Sequence, residues 1–156
     1  MIKKLFSGSL IFVIVLTLLS ASANFAFARN NPSWHWEEYQ ISQFVSSYMA
    51  VDDRCDDANI PFKVTVFENS DYSGSRARIC GRWDDLTQLP QQRIANSPTF
   101  HNTISSIWVK ELGVDSVEFH DLKDQEGQAN GFQSTGKFVL SGESNNSFSS
   151  VRPRTY

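Results

Sequence analysis

The sequence is poor in the residue patterns on which most catalytic sites depend. It contains three histidines, and His35, His101 and His120 lie in separate segments without zinc-type spacing such as HExxH. No Gly-x-Ser-x-Gly or phosphate-binding glycine loop is present. The acidic pairs 52–53 and 84–85 are adjacent residues, whose side chains would point to opposite faces of a strand. We therefore expect a protein that is not an enzyme.

The sequence also lacks an excess of positive charge and a long apolar run. It has 14 basic and 17 acidic residues, a net charge of −3. An acidic balance is unfavourable for nucleic-acid binding. Its longest apolar run, Leu10–Leu19, is shorter than the roughly 20 residues that a membrane-spanning helix needs. We predict neither a nucleic-acid partner nor a membrane span.

Residues 1–28 have the composition of a secretory signal peptide. Lys3 and Lys4 precede the apolar run, and small residues follow it. We expect cleavage after Ala28, with Ala23 as the alternative, and a secreted or periplasmic product. Because no cysteine ends the apolar run, a lipid anchor is not predicted. Removal of the two lysines would bring the net charge to about −5.

Cys55 and Cys80 are the two cysteines of the chain. In an oxidising compartment an isolated pair most often forms a structural disulfide. Such a bridge would tie the end of an N-terminal extension to the first β-hairpin. The alternative is a reactive thiol favoured by Arg54 and Arg82, although no histidine lies near either cysteine in the sequence.

Residues 29–61 differ in pattern from the rest and are predicted to form a helical extension. Asn31-Pro32 is a suitable helix start. Apolar residues then follow at the spacing of one helix face: Ile41, Phe44, Val45 and Tyr48. We expect this helix to pack on the domain. A partner-binding or membrane-surface helix is the alternative, since aromatic residues cluster in 34–39.

Residues 62–156 are predicted to form an all-β domain. Residues 63–68 and 76–80 alternate apolar and polar side chains, and a turn-rich stretch separates them, which is the pattern of a β-hairpin. Similar short segments recur to the end of the chain without helical patterns between them. This spacing indicates an antiparallel β-sandwich.

The two halves of this domain repeat one another. The first half has Phe67 followed by a polar turn and Gly74, and it closes with the loop 101–106, HNTISS. The second half has Phe119 followed by a polar turn and Gly127, and it closes with 145–150, NNSFSS. Such a repeat indicates duplicated supersecondary units that bury their apolar faces against each other.

These motifs resemble the βγ-crystallin family, over roughly residues 62–155. Its Greek-key motifs open with an aromatic residue, a second aromatic five positions later and a glycine two beyond that, and Phe67, Tyr72 and Gly74 match. In the second half Asp124 stands in the place of the second aromatic, and Gly127 lies one position late. The resemblance implies an antiparallel Greek-key β-sandwich of two motifs.

Microbial members of that family carry a calcium motif, Asn/Asp-Asn/Asp-x-x-Ser/Thr-Ser, in each half. The loop 145–150 matches it throughout, and 101–106 matches it except at His101, whose protonation would oppose cation binding. The resemblance implies paired sites built from amide oxygens, hydroxyls and backbone carbonyls. The implied ligands are Asn102 and Asn146 (amides), Ser105 and Ser149 (hydroxyls), and Thr103, Ser147, Glu68 and His120 (carbonyls).

The leading hypothesis is therefore a secreted, non-enzymatic, calcium-binding domain that calcium stabilises. Because asparagine stands where relatives often have aspartate, the expected affinity is weak, about 10⁻⁴–10⁻³ M. The alternative for the loops is that asparagine and serine only satisfy turn backbone groups. The alternative function is an exported protease-inhibitor or toxin-like protein with an extracellular protein partner; a surface or matrix component is a third.

Overall fold

A computed structural model describes residues 32–93 and 95–155. The strands within them are β1 (Trp34–Ser42), β2 (Val45–Asp52), β3 (Phe62–Phe67), β4 (Arg76–Ile79), β5 (Ser106–Leu112), β6 (Ser116–His120), β7 (Ala129–Phe132), β8 (Gly136–Val139) and β9 (Ser150–Arg154). Short 3-10 helices cover Asp53–Asp56, Leu86–Gln88, Lys123–Gln125 and Gly142–Ser144. In these ranges no helix is long and apolar enough to cross a membrane. The predicted signal peptide, 1–28, lies outside the described residues.

The strands form two sheets that face each other. The larger sheet has the order β1-β2-β4-β3-β5-β8 and the smaller one β7-β6-β9. Neighbouring strands are antiparallel except β2 and β4, which are parallel. The core between the sheets includes the fully buried aromatic side chains of Trp83, Phe62, Phe100, Phe119 and Phe148.

Each half of the domain forms a Greek key in which one segment crosses over to pair with the sheet of the other half. In the first half β5 returns beside β3, while Trp83 crosses to form a bridge with Val151 of β9. In the second half β9 returns beside β6, while β8 crosses to pair with β5. This exchange confirms the predicted antiparallel Greek-key β-sandwich of two motifs.

The predicted N-terminal helix is wrong, because β1 and β2 form a β-hairpin instead. Trp34 and Trp36 both pack against the main core. Their spacing of two residues is the period of a strand. The apolar residues at helical spacing lie at or near the hairpin tip, where Ile41 is 60% exposed and Phe44 91% exposed. The burial that stabilises this segment comes from the tryptophans.

The hairpin is joined to the domain by strand pairing and by a disulfide. Ala50 of β2 lies opposite Ala77 of β4 in a parallel pairing. Cys55 and Cys80 are bonded, with their Cα atoms 5.1 Å apart, which confirms the predicted disulfide. The two cysteines pack with Met49 and Val51 in a second, smaller apolar cluster.

Asp52 anchors the hairpin to the core. The run 52–57 has the composition of a solvated turn, yet Asp52 is fully buried. Its carboxylate accepts hydrogen bonds from the backbone and guanidinium of Arg54, from Cys80 N and from Trp83 Nε1. Burial alone would raise the pKa of Asp52, but the bonds from Arg54 and Trp83 outweigh it and lower that pKa.

Asp84 and Asp85 are buried and bonded to structural partners. Asp85 caps the helix Leu86–Gln88 by accepting from Thr87 N at 3.0 Å, and its other oxygen lies 3.0 Å from Lys123 Nζ. Asp84 accepts from Arg82 Nε at 2.6 Å. Both carboxylates thus hold turns in place.

Candidate functional site

The loops 101–106 and 145–150 lie side by side and bond to each other reciprocally. Asn102 N donates to Phe148 O at 2.8 Å, and Asn146 N donates to Ile104 O at 3.1 Å. Both asparagines have left-handed backbones, with φ of 54° and 57°. Asparagine adopts this conformation more readily than most side chains. The motif asparagines therefore have a backbone role in addition to any ligand role.

The first serine of each Ser-Ser pair ties its loop to a hairpin. Ser105 N donates to Phe67 O at 2.9 Å, and Ser149 N donates to His120 O at 2.7 Å. Phe67 ends β3 and His120 ends β6. The two loops therefore sit at equivalent places in the two halves.

The second serine of each pair fixes the turn that follows the strand. Ser106 Oγ donates to Asn69 O at 2.6 Å, and Ser150 Oγ donates to Leu122 O at 2.6 Å. Both serines are fully buried. Ser-Ser is thus required by the fold as well as by the calcium motif.

These bonds make Asp121, not His120, the equivalent of Glu68. Ser75 N donates to the Glu68 carboxylate at 3.1 Å, and Gln128 N donates to the Asp121 carboxylate at 2.8 Å. The predicted equivalence of Glu68 and His120 is therefore wrong by one residue. The two phenylalanines suggested that register, but a slip of one residue exchanges the two faces of a strand.

The second hairpin keeps the spacing of the first. Gly74 and Gly127 share a φ of 75°, and Tyr72 and Gln125 share left-handed values of 63° and 58°. Gly127 is therefore not late, and Gln125, not Asp124, takes the place of the second aromatic. A carboxylate six residues before each glycine is the sequence signal that identifies this register.

Oxygen atoms from both halves converge at Asn102; we call this group the Asn102 cluster. It comprises the Asn102 amide, the Ser147 carbonyl, the Ser149 hydroxyl and the Asp121 carbonyl. Ser149 Oγ lies 3.3 Å from Asn102 Oδ1 and 2.5 Å from Asp121 O. Amide, hydroxyl and carbonyl oxygens are ligands suited to calcium.

The terminal amide atom of Asn102 that faces this cluster has only acceptors around it. It lies 3.0 Å from Ser147 O, 3.3 Å from Phe148 O and 3.3 Å from Ser149 Oγ. A nitrogen at this position would donate to those oxygens. An oxygen there completes a group of oxygens that a hard cation would satisfy. The Asn102 amide can therefore donate to these oxygens in one orientation and add an oxygen to the group in the other.

The pseudo-equivalent group, the Asn146 cluster, contains Asn146 and Ser105 in contact; by the repeat, the carbonyls of Thr103 and Glu68 correspond to those of Ser147 and Asp121. Ser105 Oγ donates to Asn146 Oδ1 at 3.1 Å. Thr103 is held by its side chain, which donates to Thr99 O at 3.0 Å and accepts from Gln91 Nε2 at 2.6 Å. With Asp121 in place of His120, the predicted ligands thus divide into two groups of four, each drawing its asparagine from one loop and its hydroxyl from the other.

Negative charge lies beside the Asn102 cluster. Two of its members, Asp121 and Ser147, line a cavity of about 310 Å³ that Glu143 and Asn130 also line. The two carboxylates offset part of the charge that asparagine does not supply. Within residues 32–93 and 95–155 no group of three or more His, Cys, Asp or Glu side chains is arranged to hold a metal ion. A site here would depend on amide, hydroxyl and carbonyl oxygens.

His120 takes the place of an aromatic core residue. It is 3% exposed; within the described residues neither ring nitrogen has a hydrogen-bond partner, and Nε2 lies 3.7 Å from a carboxylate oxygen of Glu118. Burial, and next the charge of Arg152, lower the pKa of His120. The ring is therefore neutral at pH 7 and adds no positive charge near Asp121.

No protein-family model matches the sequence, and no curated protein is significantly similar to it. Solved structures similar to the chain are βγ-crystallin domains. One from Ciona intestinalis is 20% identical with a TM-score of 0.46, covering 59% of this chain and 99% of that one. One from an archaeon is 23% identical with a TM-score of 0.44, covering 60% and 98%. A third, described under the evolution of the eye-lens βγ-crystallin domain fold, is 12% identical with a TM-score of 0.44, covering 60% and 86%.

Proposed function

We propose that this chain is an exported βγ-crystallin-type domain that binds calcium at the Asn102 and Asn146 clusters and is stabilised by it. Its role is binding rather than catalysis. The observation that carries the proposal is the Asn102 amide, which one loop aims at three oxygens of the other loop. A turn that served only its own backbone would not need this inter-loop arrangement.

The ligand set favours weak binding. The clusters contain amides, hydroxyls and carbonyls, with Glu68 and Asp121 as the adjacent carboxylates. Both of these carboxylates already accept a backbone hydrogen bond. We therefore retain the expected affinity of about 10⁻⁴–10⁻³ M, the range of extracellular modules. This range also suits the export predicted from residues 1–28.

Calcium should stabilise the fold by mass action, because both clusters require the two halves to be in contact. Calcium at about one hundred times its dissociation constant would add about 2.7 kcal/mol for one site. For a domain of this size that corresponds to a rise in melting temperature of about 5–10 °C. The rise should be absent with a chelator.

Ser149→Ala and Ser141→Ala test the site with the same substitution at two places. Ser149 Oγ belongs to the Asn102 cluster. Ser141 is exposed and makes no side-chain capping bond. We expect Ser149→Ala to reduce the calcium-induced rise in melting temperature and Ser141→Ala to keep it. An unchanged wild-type melting temperature at 10 mM calcium would overturn the proposal, as would an equal rise in both variants.

A further inference from the structure

The outward face of the six-stranded sheet is basic, although the chain has a net charge of −3. Five basic side chains project from its strands: Lys63, Arg76, Arg78, Lys110 and Lys137. Strand register places them together, because Thr65 lies opposite both Arg78 and Trp108, and Trp108 lies opposite Lys137. We call this surface the basic face.

Carboxylates neutralise only part of the basic face. Arg78 pairs with Glu37 at 2.9 Å, and Lys63 pairs with Glu111 at 2.9 Å. Arg76, Lys110 and Lys137 have no ion pair within the described part of the chain. The neighbouring positive charges affect Lys110: its pKa is lowered by burial and then by the charges of Arg78 and Lys63. The basic face therefore carries excess positive charge, although acidic residues outnumber basic ones in the chain as a whole.

Aromatic rings alternate with these cations. Trp108 is 37% exposed, and the ammonium groups of Lys110 and Lys137 lie 4.4 Å and 5.0 Å from its ring centroid. Lys137 also lies 5.1 Å from the ring of Tyr72. Cation–π contacts of this kind hold the ammonium groups above the sheet without neutralising them.

Polar atoms without partners mark the same surface. Buried side-chain atoms that lack a hydrogen bond within the described ranges include Thr65 Oγ1, Arg76 Nε and Arg78 Nε. Thr65 is itself only 4% exposed and lies between Arg78 and Trp108 on the neighbouring strands. Because these three atoms are buried beneath the basic face, a ligand on that face can contact only the cationic groups above them.

We propose that the basic face binds an anionic polysaccharide bearing carboxylate or sulfate groups. A sheet face suits an extended polymer, because several of the cations on neighbouring strands can pair with anionic groups along it. A stacked nucleic-acid base would need the ring faces of Trp108, near which Lys110 and Lys137 already lie. Anionic groups of a polysaccharide require only the ammonium groups, and the predicted export places the chain among such polymers.

Binding is measured by affinity electrophoresis and calorimetry with polygalacturonate, dextran sulfate, uncharged dextran and a single-stranded oligothymidylate. A chelator is present throughout, so that failure of calcium binding cannot affect the result. The double variant Lys110→Ala/Lys137→Ala is compared with Lys123→Ala, whose lysine pairs with Asp85 away from the basic face. Circular dichroism monitors folding, and a salt titration of the wild type needs no variant.

At least one anionic polysaccharide should bind the wild type more weakly as salt rises, and uncharged dextran should not bind. The group recognised is identified by whether polygalacturonate, dextran sulfate or both bind. The double variant should bind between about tenfold and thirtyfold more weakly, and Lys123→Ala within about twofold of wild type. The proposal is overturned if neither anionic polysaccharide binds, if the two variants lose equal affinity, or if the oligothymidylate binds more tightly.

Discussion

The indole nitrogen of Trp83 lies 2.9 Å from a carboxylate oxygen of Asp52. Asp52 ends β2 of the N-terminal hairpin, and Trp83 is the residue at which the first Greek key crosses to the second sheet. Both residues are fully buried. The hairpin is therefore part of the domain's folding unit, and its loss should destabilise the β-sandwich itself.

Asp52→Asn should destabilise the domain strongly. An amide cannot serve the five donors that meet at this carboxylate, and the guanidinium of Arg54 loses its charged partner. We expect the free energy of unfolding in urea to fall by about 2–4 kcal/mol. Asp53→Asn is the matched control, because the exposed carboxylate of Asp53 pairs with His35 at the surface, so this variant should lose far less stability. Equal losses in the two variants would contradict this role.

Stability should decrease in two stages as pH falls. Burial lowers the pKa of His120 below its ordinary 6.5, so the unfolded chain takes up this proton first and stability declines below about pH 6.5. Hydrogen bonds from Arg54 and Thr87 to Asp52 and Asp85, respectively, outweigh burial and lower those pKa values below 3.8. The second decline therefore begins near pH 4 and continues through the folded-state values.

His120→Phe isolates the first stage. The variant has phenylalanine at the position that corresponds to Phe67 in the first half. It removes two buried nitrogens that make no hydrogen bond within the described residues, one of which lies 3.7 Å from Glu118 Oε2. We expect unfolding in urea to become independent of pH between about 6.5 and 5, with no loss of stability at pH 7. A decline that persists in the variant would assign it to another group.

Reduction of Cys55–Cys80 should lower stability without changing the fold. The bridge closes a loop with a sequence separation of 25 residues. On the loop-entropy account this contributes about 3.5 kcal/mol. Urea unfolding with and without reductant measures the difference. A change below about 1 kcal/mol would mean that strand pairing between β2 and β4 already restrains the segment.

Trp36→Ala and Phe44→Ser distinguish the hairpin from the helix that the apolar spacing favours. Trp36 packs on the core and contacts the ring of Trp34 at 5.3 Å, whereas Phe44 is 91% exposed. We expect Trp36→Ala to cost about 2–3 kcal/mol and Phe44→Ser less than about 0.5 kcal/mol. A helix packed through Phe44 would give a large loss for Phe44→Ser.

The β-sandwich and the disulfide could be predicted from the sequence because their signals are local or compositional. The hairpin could not, because residues 41–48 satisfy the helical period while the decisive burial lies at Trp34 and Trp36. Asp52 has the sequence context of an exposed turn, and only tertiary contacts with Cys80 and Trp83 place it inside.

The loops of the candidate site could be located from the sequence, but not the register of the second hairpin. Phe67 and Phe119 are the same residue type, but Phe67 corresponds in the fold to His120, one position after Phe119. Hydrogen bonds from Ser149 and Gln128 determine the register and bring Asp121 to the site.

Calorimetric titration of the protein with calcium tests the central claim most directly. We predict two weak sites with dissociation constants of about 10⁻⁴–10⁻³ M. Asn102→Ala should abolish one of them, since it removes the amide that faces Ser147 and Ser149. The absence of binding heat at millimolar calcium, or unchanged binding in Asn102→Ala, would contradict the account.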